Sequence, residues 1–234
     1  MNMRLIMLSF VVLVALPRSA NAQAIADLSD SPSVIAVTTP AQPGITYTPP
    51  TTKTKLHSYV FEAFGPYPIV GAGLAASIGQ ADNTPPEWKQ GAAGYSKRFG
   101  SDFGIAAVTT TTRYALARAF REDTLYYRCE CKGVFPRLTH AAISTFTGRR
   151  GDDGHRVFSL AALIAPYAGT MTAVHGWYPG RYNAKDGFRM GNYSLLGYAA
   201  GNVAFEFLHR GPQSLLSRVH LNNGRGAPDP GTNP

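Results

Sequence analysis

Apolar runs alternate along this chain with stretches dense in proline, glycine and threonine, and that alternation lays out its elements. Residues 5–16 form an apolar run behind a short basic start ending at Arg4, and Ala20-Asn21-Ala22 supplies a small-x-small cleavage pattern before Gln23. A secretory signal peptide is therefore expected over 1–22. The run is shorter than the ~20 residues that cross a bilayer, which favours a cleaved leader over an anchor stopped at Arg18. No Cys follows the site directly, so a lipoprotein-type anchor is not expected. Residues 23–54, with Thr39-Pro40, Pro43-Gly44 and Pro49-Pro50, show no sustained apolar period and read as a disordered Pro/Thr-rich tether. Residues 222–234 carry the same breakers and read as a loose tail.

Between these ends, 55–221 is expected to form one domain, a mainly α, compact, small-residue-rich bundle of four to five helices. The first helical segment covers 55–80 and is interrupted at Gly65-Pro66-Tyr67-Pro68. A second covers 86–120, with Thr84 as N-cap, Pro85 at the first helical position and Glu87 completing a capping box. Further helices are expected over 137–146, 157–178 and 190–209. In 124–134 the period changes to two: Tyr127, Cys129 and Cys131 alternate with Arg128, Glu130 and Lys132, which predicts one short strand or hairpin there. Ala92, Ser96, Gly100 and Gly104 recur every fourth residue, and Gly197 and Gly201 form a GxxxG on one face with Tyr193 and Phe205. Both strips are expected to be helix-packing seams, a pattern equally suited to a membrane bundle and to a close-packed soluble helix pair. Residues 157–178 hold no formal charge and close on Trp177-Tyr178 like an interfacial aromatic belt, while Pro166, Thr170 and Thr172 dilute their hydropathy. Core helix and membrane helix both remain open for that segment.

Charge narrows the partners. Only 15% of residues are charged and the formal charge is +8, which becomes +6 once Arg4 and Arg18 leave with the leader. On an exported protein such an excess points to anionic lipid or another envelope polyanion, and away from nucleic acid; a protein partner is compatible with it, and so is a general solubility charge. Basic residues gather at Arg113, Arg118, Arg121, Arg128, Lys132, Arg137, Arg149 and Arg150, which marks that region as the candidate anionic-surface contact.

Candidate chemistry is sparse. Cys129-Glu130-Cys131 permits structural or free thiols, or a local or intermolecular disulfide; in an extended strand the two Cα atoms would sit near the upper limit for bridging. Zinc needs four ligands and only His140 lies nearby in sequence, so no metal and no cofactor are expected. His57, His140, His155, His175, His209 and His220 show no ligand spacing, and Asp152-Asp153-Gly154 reads as a turn rather than a calcium loop. Arg150-Gly151-Asp152 is too short a match to an adhesion tripeptide to carry weight. No nucleophile elbow, Walker A loop or dinucleotide fingerprint occurs, and no catalytic residue is assigned. Two acids in apolar surroundings stand out: Glu62, and Glu206 between Phe205 and Phe207. Each must be paired, for example with Arg113 or Arg118, or else handle a proton or ligand.

Tyr127-Arg128, His140-Ala141 with Ser144-Thr145-Phe146, the turn Gly151-Asp152-Asp153-Gly154, Trp177-Tyr178-Pro179, Asp186-Gly187-Phe188 and Gly201-Asn202 together resemble an uncharacterised family of exported bacterial proteins. The resemblance implies export and one shared domain, and adds no chemistry. The expected role is non-enzymatic: a membrane-associated structural or scaffolding protein of the periplasm or cell envelope. Its rivals are a soluble periplasmic carrier of an apolar ligand and a hydrolase built on Glu62 or Glu206 with a His.

Overall fold

In the computed structural model, which describes residues 47–129 and 131–208, helix α1 (Thr52–Phe64) starts where Thr51 Oγ1 accepts a hydrogen bond from Thr54 N at 3.2 Å. The expected leader, most of the tether and the tail lie outside the described residues. α1 ends at Gly65, where a Cβ would fall 2.2 Å from the Phe61 carbonyl oxygen, and α2 (Pro66–Ala81) restarts at once on a proline. The break expected at Gly65-Pro66 is therefore present.

The next start differs from the sequence expectation. Thr84 does not cap a helix; its hydroxyl donates to Asp82 O, and Pro86–Trp88 is a single 3₁₀ turn. Lys89 and Gly91 then take positive φ, and α3 (Gly91–Ala119) begins only there. The cause is Arg98, 2% exposed, whose guanidinium donates to Thr84 O (2.8 Å), Pro85 O (2.9 Å), Lys89 O (2.8 Å) and Gln80 Oε1 (2.7 Å). Carbonyls that a helix would satisfy internally are satisfied here by one side chain.

Strands β1 (Glu122–Asp123), β2 (Thr147–Arg150) and β3 (His155–Phe158) form an antiparallel sheet in that order. The hairpin thus lies in β2–β3, around the turn expected at Gly151 to Gly154, whose glycines have φ of +76° and +65°. The described residues of 124–133 are irregular apart from one bridge at Arg128. Helix α4 (Val134–Phe146) precedes the hairpin. α5 (Leu160–Gly176), capped by Ser159 Oγ on Ala162 N, and α6 (Ala184–Leu208) follow it. The fold is mainly helical with one small sheet, as the sequence predicts.

α3 packs on α2 and α5, and α6 closes on α5 and α4. The closest approach is at Gly169 of α5, where a Cβ would lie 2.1 Å from Thr109 Oγ1 and 2.7 Å from Ile105 O; Gly187 and Gly191 of α6 are pressed in the same way by Met171 and Tyr167. The strips singled out by sequence lie elsewhere. Ser96 is exposed, Gly100, Gly197 and Gly201 have no atom within 4 Å of an added Cβ, and Gly104 meets only the Trp177 ring at 3.4 Å. Period alone sets the spacing of a strip but not which of two uncharged faces turns inward; the seam of α3 is Ser101, Ile105 and Thr109, one position round from the expected one. Among the described residues no helix is long and apolar enough to cross a membrane. At 17 residues α5 spans about 25 Å against a hydrocarbon core of ~30 Å. It buries Ala161, Ala165, Thr170 and Ala173, and the Trp177 indole donates to Ser101 Oγ at 2.8 Å instead of joining a belt.

Candidate functional site

Two buried carboxylate centres flank the irregular segment after β1, and adjacent tyrosines are sent one to each. Tyr126 donates through its hydroxyl to Glu206 Oε2, while Tyr127 donates to Asp123 Oδ2 at 2.5 Å. Side chains in an extended chain alternate sides, so a period-two pattern here serves two separate anions rather than a ladder. Among the described residues of the strand expected over 124–134, only Arg128 makes a bridge.

Glu206, on α6, is fully buried. Its carboxylate accepts from Cys129 N (3.0 and 3.2 Å) and from Arg137 Nε (3.3 Å), and lies 3.7 Å from His140 Nδ1; Arg137 also donates to the Glu206 carbonyl. Burial alone would raise the Glu206 pKa, but nearby His140 and the hydrogen bonds from Tyr126, Cys129 N and Arg137 outweigh it and hold the carboxyl below its ordinary value. Burial and the Glu206 charge drive the Tyr126 hydroxyl far up. Arg156 meets His140 Nε2 at 2.6 Å, and because a guanidinium only donates, Nε2 accepts and the proton sits on Nδ1, facing Glu206.

The second centre joins β1 to its surroundings. Glu122 accepts from Ser159 Oγ (2.5 Å) and Arg150 (3.2 Å), and Asp123 accepts from Tyr47 (3.0 Å), Tyr127 and Leu125 N (3.0 Å). Arg149 lies over both the Tyr47 and Tyr127 rings and donates to Gly154 O. Burial followed by the Asp123 charge pushes both phenols well up.

Beside this centre, a cleft opens between α1 and α3. Lys55, Ser58, Tyr59 and Glu62 line it from α1, Thr110, Arg113, Tyr114 and Arg118 from α3, and residues 122–125 form its floor. Those helix positions recur at three- and four-residue steps, which places them on one face of each helix. A second cleft lies among Thr109, Arg113, Ala162, Leu195 and Tyr198.

The residues chosen from sequence divide among these places. Glu206 finds its cation, but it is Arg137 rather than Arg113 or Arg118; Glu62 lines the α1–α3 cleft. Arg137 is 12% exposed at its side chain and rests on the Phe207 ring, so it is held in the buried centre rather than offered to a surface. Arg113 and Arg118 face the cleft, Arg121 sits exposed in a positive-φ turn, Lys132 is exposed and Arg128 is half-buried. The basic residues are thus dispersed over a cleft, a loop and a core. Arg150 of the Arg-Gly-Asp tripeptide is tied to Glu122. Cys129 and Cys131 are disulfide-bonded, with Cα atoms 5.2 Å apart, inside the range for bridging.

Cys129, His140 and Glu206 bring metal-ligand atoms within 4.8 Å of one another, a convergence the sequence could not reveal because Cys129 and Glu206 are 77 residues apart. The donor set is nevertheless committed: the thiol to a disulfide, His140 Nε2 to Arg156, and the carboxylate to Arg137, Tyr126 and Cys129 N. The same centre pairs a Glu with a His, but the two side chains are 0% and 5% exposed and line neither cleft.

Asp102, on α3 beside Arg98, is a group the sequence reading missed. Burial raises its pKa from 3.8 to about 7, against a smaller opposing pull from Arg98. The folded state therefore takes up a proton between pH 4 and 7, and stability falls as the pH rises through that window. Asp102→Asn is expected to raise stability at pH 8 by up to ~4 kcal/mol and to have little effect at pH 4, as read by melting curves across the range. An equal gap at both ends would contradict this.

No family model, curated relative or solved structure matches the chain.

Proposed function

We propose that the protein is an exported, non-enzymatic component of the bacterial envelope that lies on a lipid surface through the outer faces of α1 and α2. The observation that carries this reading is the exposed apolar face. Leu56, Val60 and Phe64 on α1, and Ile69, Val70, Leu74 and Ile78 on α2, are each 47–64% exposed. α2 holds no charged residue over its whole length. Helices that lie in a membrane interface bury such a face a few ångströms into the headgroup–acyl boundary without spanning it. This is compatible with α2 being only 16 residues long. Half-exposed aliphatic side chains are worth about 1 kcal/mol each on transfer, so the four on α2 supply about 4 kcal/mol. The carrier alternative asks for an apolar pocket, whereas the α1–α3 cleft is lined largely by charged and hydroxyl side chains.

Sedimentation with phosphatidylcholine vesicles tests the reading. The Val70→Asp/Leu74→Asp variant is expected to partition at least ~30-fold more weakly while melting normally, the loss corresponding to the two transfer terms. Equal partitioning of both proteins, or none by the parent, would overturn it.

A further inference from the structure

The cleft between α1 and α3 is lined by three cations that pair with none of the acids beside them, Glu62, Glu122 and Asp123. Among the described residues, Lys55, Arg113 and Arg118 form no salt bridge. Their hydrogen bonds are long and run to neutral oxygens: Lys55 Nζ to Glu122 O at 3.4 Å, Arg113 to Thr124 O at 3.4 Å, and Arg118 to Tyr114 Oη at 3.3 Å. Arg113 Nε is buried with no hydrogen-bond partner. Of the acids that line the cleft, Glu122 is engaged with Ser159 and Arg150 and Asp123 with Tyr47 and Tyr127, while Glu62 stands on the α1 wall.

We infer that this cleft is a binding site for a phosphate-type oxyanion, either a free phosphate or the phosphate of a lipid headgroup. Cations that form no ion pair in a half-buried cleft gain a partner when an anion enters. Guanidinium groups suit phosphate because they donate parallel hydrogen bonds to two of its oxygens, and Lys55 adds a compact charge from the opposite wall. The hydroxyls of Ser58, Tyr59 and Thr110 line the same space and can donate to the remaining oxygens. The packing of the walls keeps the cations in place: Tyr59 stacks on Tyr114 with ring centroids 4.7 Å apart, and Arg113 lies over the Tyr198 ring. The site does not depend on the α2 face, so it stands or falls separately from the lipid-surface reading.

Isothermal titration of the mature protein with inorganic phosphate in a chloride background tests it, together with binding to phosphatidylcholine vesicles with and without phosphatidylglycerol. Arg113→Gln is expected to weaken phosphate binding at least tenfold, and Lys97→Gln, the same charge change outside the cleft, to leave it unaltered. Arg118→Gln, on an exposed helix position, provides the same comparison should Arg113→Gln fail to fold. If phosphate does not bind but phosphatidylglycerol strengthens vesicle binding in a way that Arg113→Gln or Arg118→Gln removes and Lys97→Gln does not, the headgroup is the source and the inference holds. Val70→Asp/Leu74→Asp is expected to leave phosphate binding unchanged, which separates this site from the apolar face. Absence of both phosphate binding and phosphatidylglycerol dependence, or an equal loss in Lys97→Gln, would overturn it.

Discussion

Glu206→Ala is expected to cost about 4 kcal/mol and to lower the melting temperature by about 10 °C, because it strands several buried groups at once. Arg137 would lose its counter-charge, Tyr126 and Cys129 N their acceptor, and His140 the group its Nδ1 faces. Breaking a buried pair by removing one partner is costlier than replacing both, since the survivor stays desolvated. The pH sign follows from the depressed carboxyl: its contribution is complete above the ordinary value of 4.5 and is lost as the pH falls through the lower folded value. The gap between parent and variant should therefore narrow under acid. Denaturation of both proteins at pH 7 and below pH 4 measures this; a loss under ~1 kcal/mol at pH 7 would show that Glu206 is not the centre of its cluster.

Arg98→Met carries the second large effect, about 3 kcal/mol of stability, concentrated in the segment before α3. The native side chain holds three carbonyls from Thr84 to Lys89 and the Gln80 amide oxygen; a thioether replaces its aliphatic stem and donates nothing. Arg98→Lys should rescue little of this, because a single ammonium cannot reproduce the planar fork. Hydrogen exchange is the sharper readout, with faster exchange expected across residues 82–91 and unchanged protection in α5. A variant within ~0.5 kcal/mol of the parent, with that segment still protected, would contradict the role assigned to Arg98.

Local rules carried much of the fold from sequence, and long-range pairing carried what they missed. Gly65-Pro66 marked a real helix break because proline and a missing Cβ act on their own neighbours, and Gly151 to Gly154 marked a real turn for the same reason. The start of α3 escaped because Arg98, well inside the helix, satisfies carbonyls that Thr84-Pro85-Pro86 would otherwise have turned into a helical end. The small-residue strips had the right period and the wrong phase: with few charges on α3 and α6, Gly100 and Gly201 gave no less reason to face inward than Ser101 and Gly191 do. Glu206 was legible as an acid in apolar surroundings, yet its partners come from positions 66 to 80 residues earlier, and no spacing rule reaches that far. Asp102 and the three unpaired cations of the α1–α3 cleft are properties of assembled surfaces, visible only once two helices meet.

The central claim, that the exposed apolar face of α2 seats the protein on lipid, is tested most directly by nitroxide labels at Leu74 and at Lys132 in the mature protein. On adding vesicles, the account predicts that the label at Leu74 gains accessibility to oxygen and loses it to a water-soluble relaxant, while the label at Lys132 changes little. A label at Leu74 that stays in water while the protein sediments with the vesicles would contradict it.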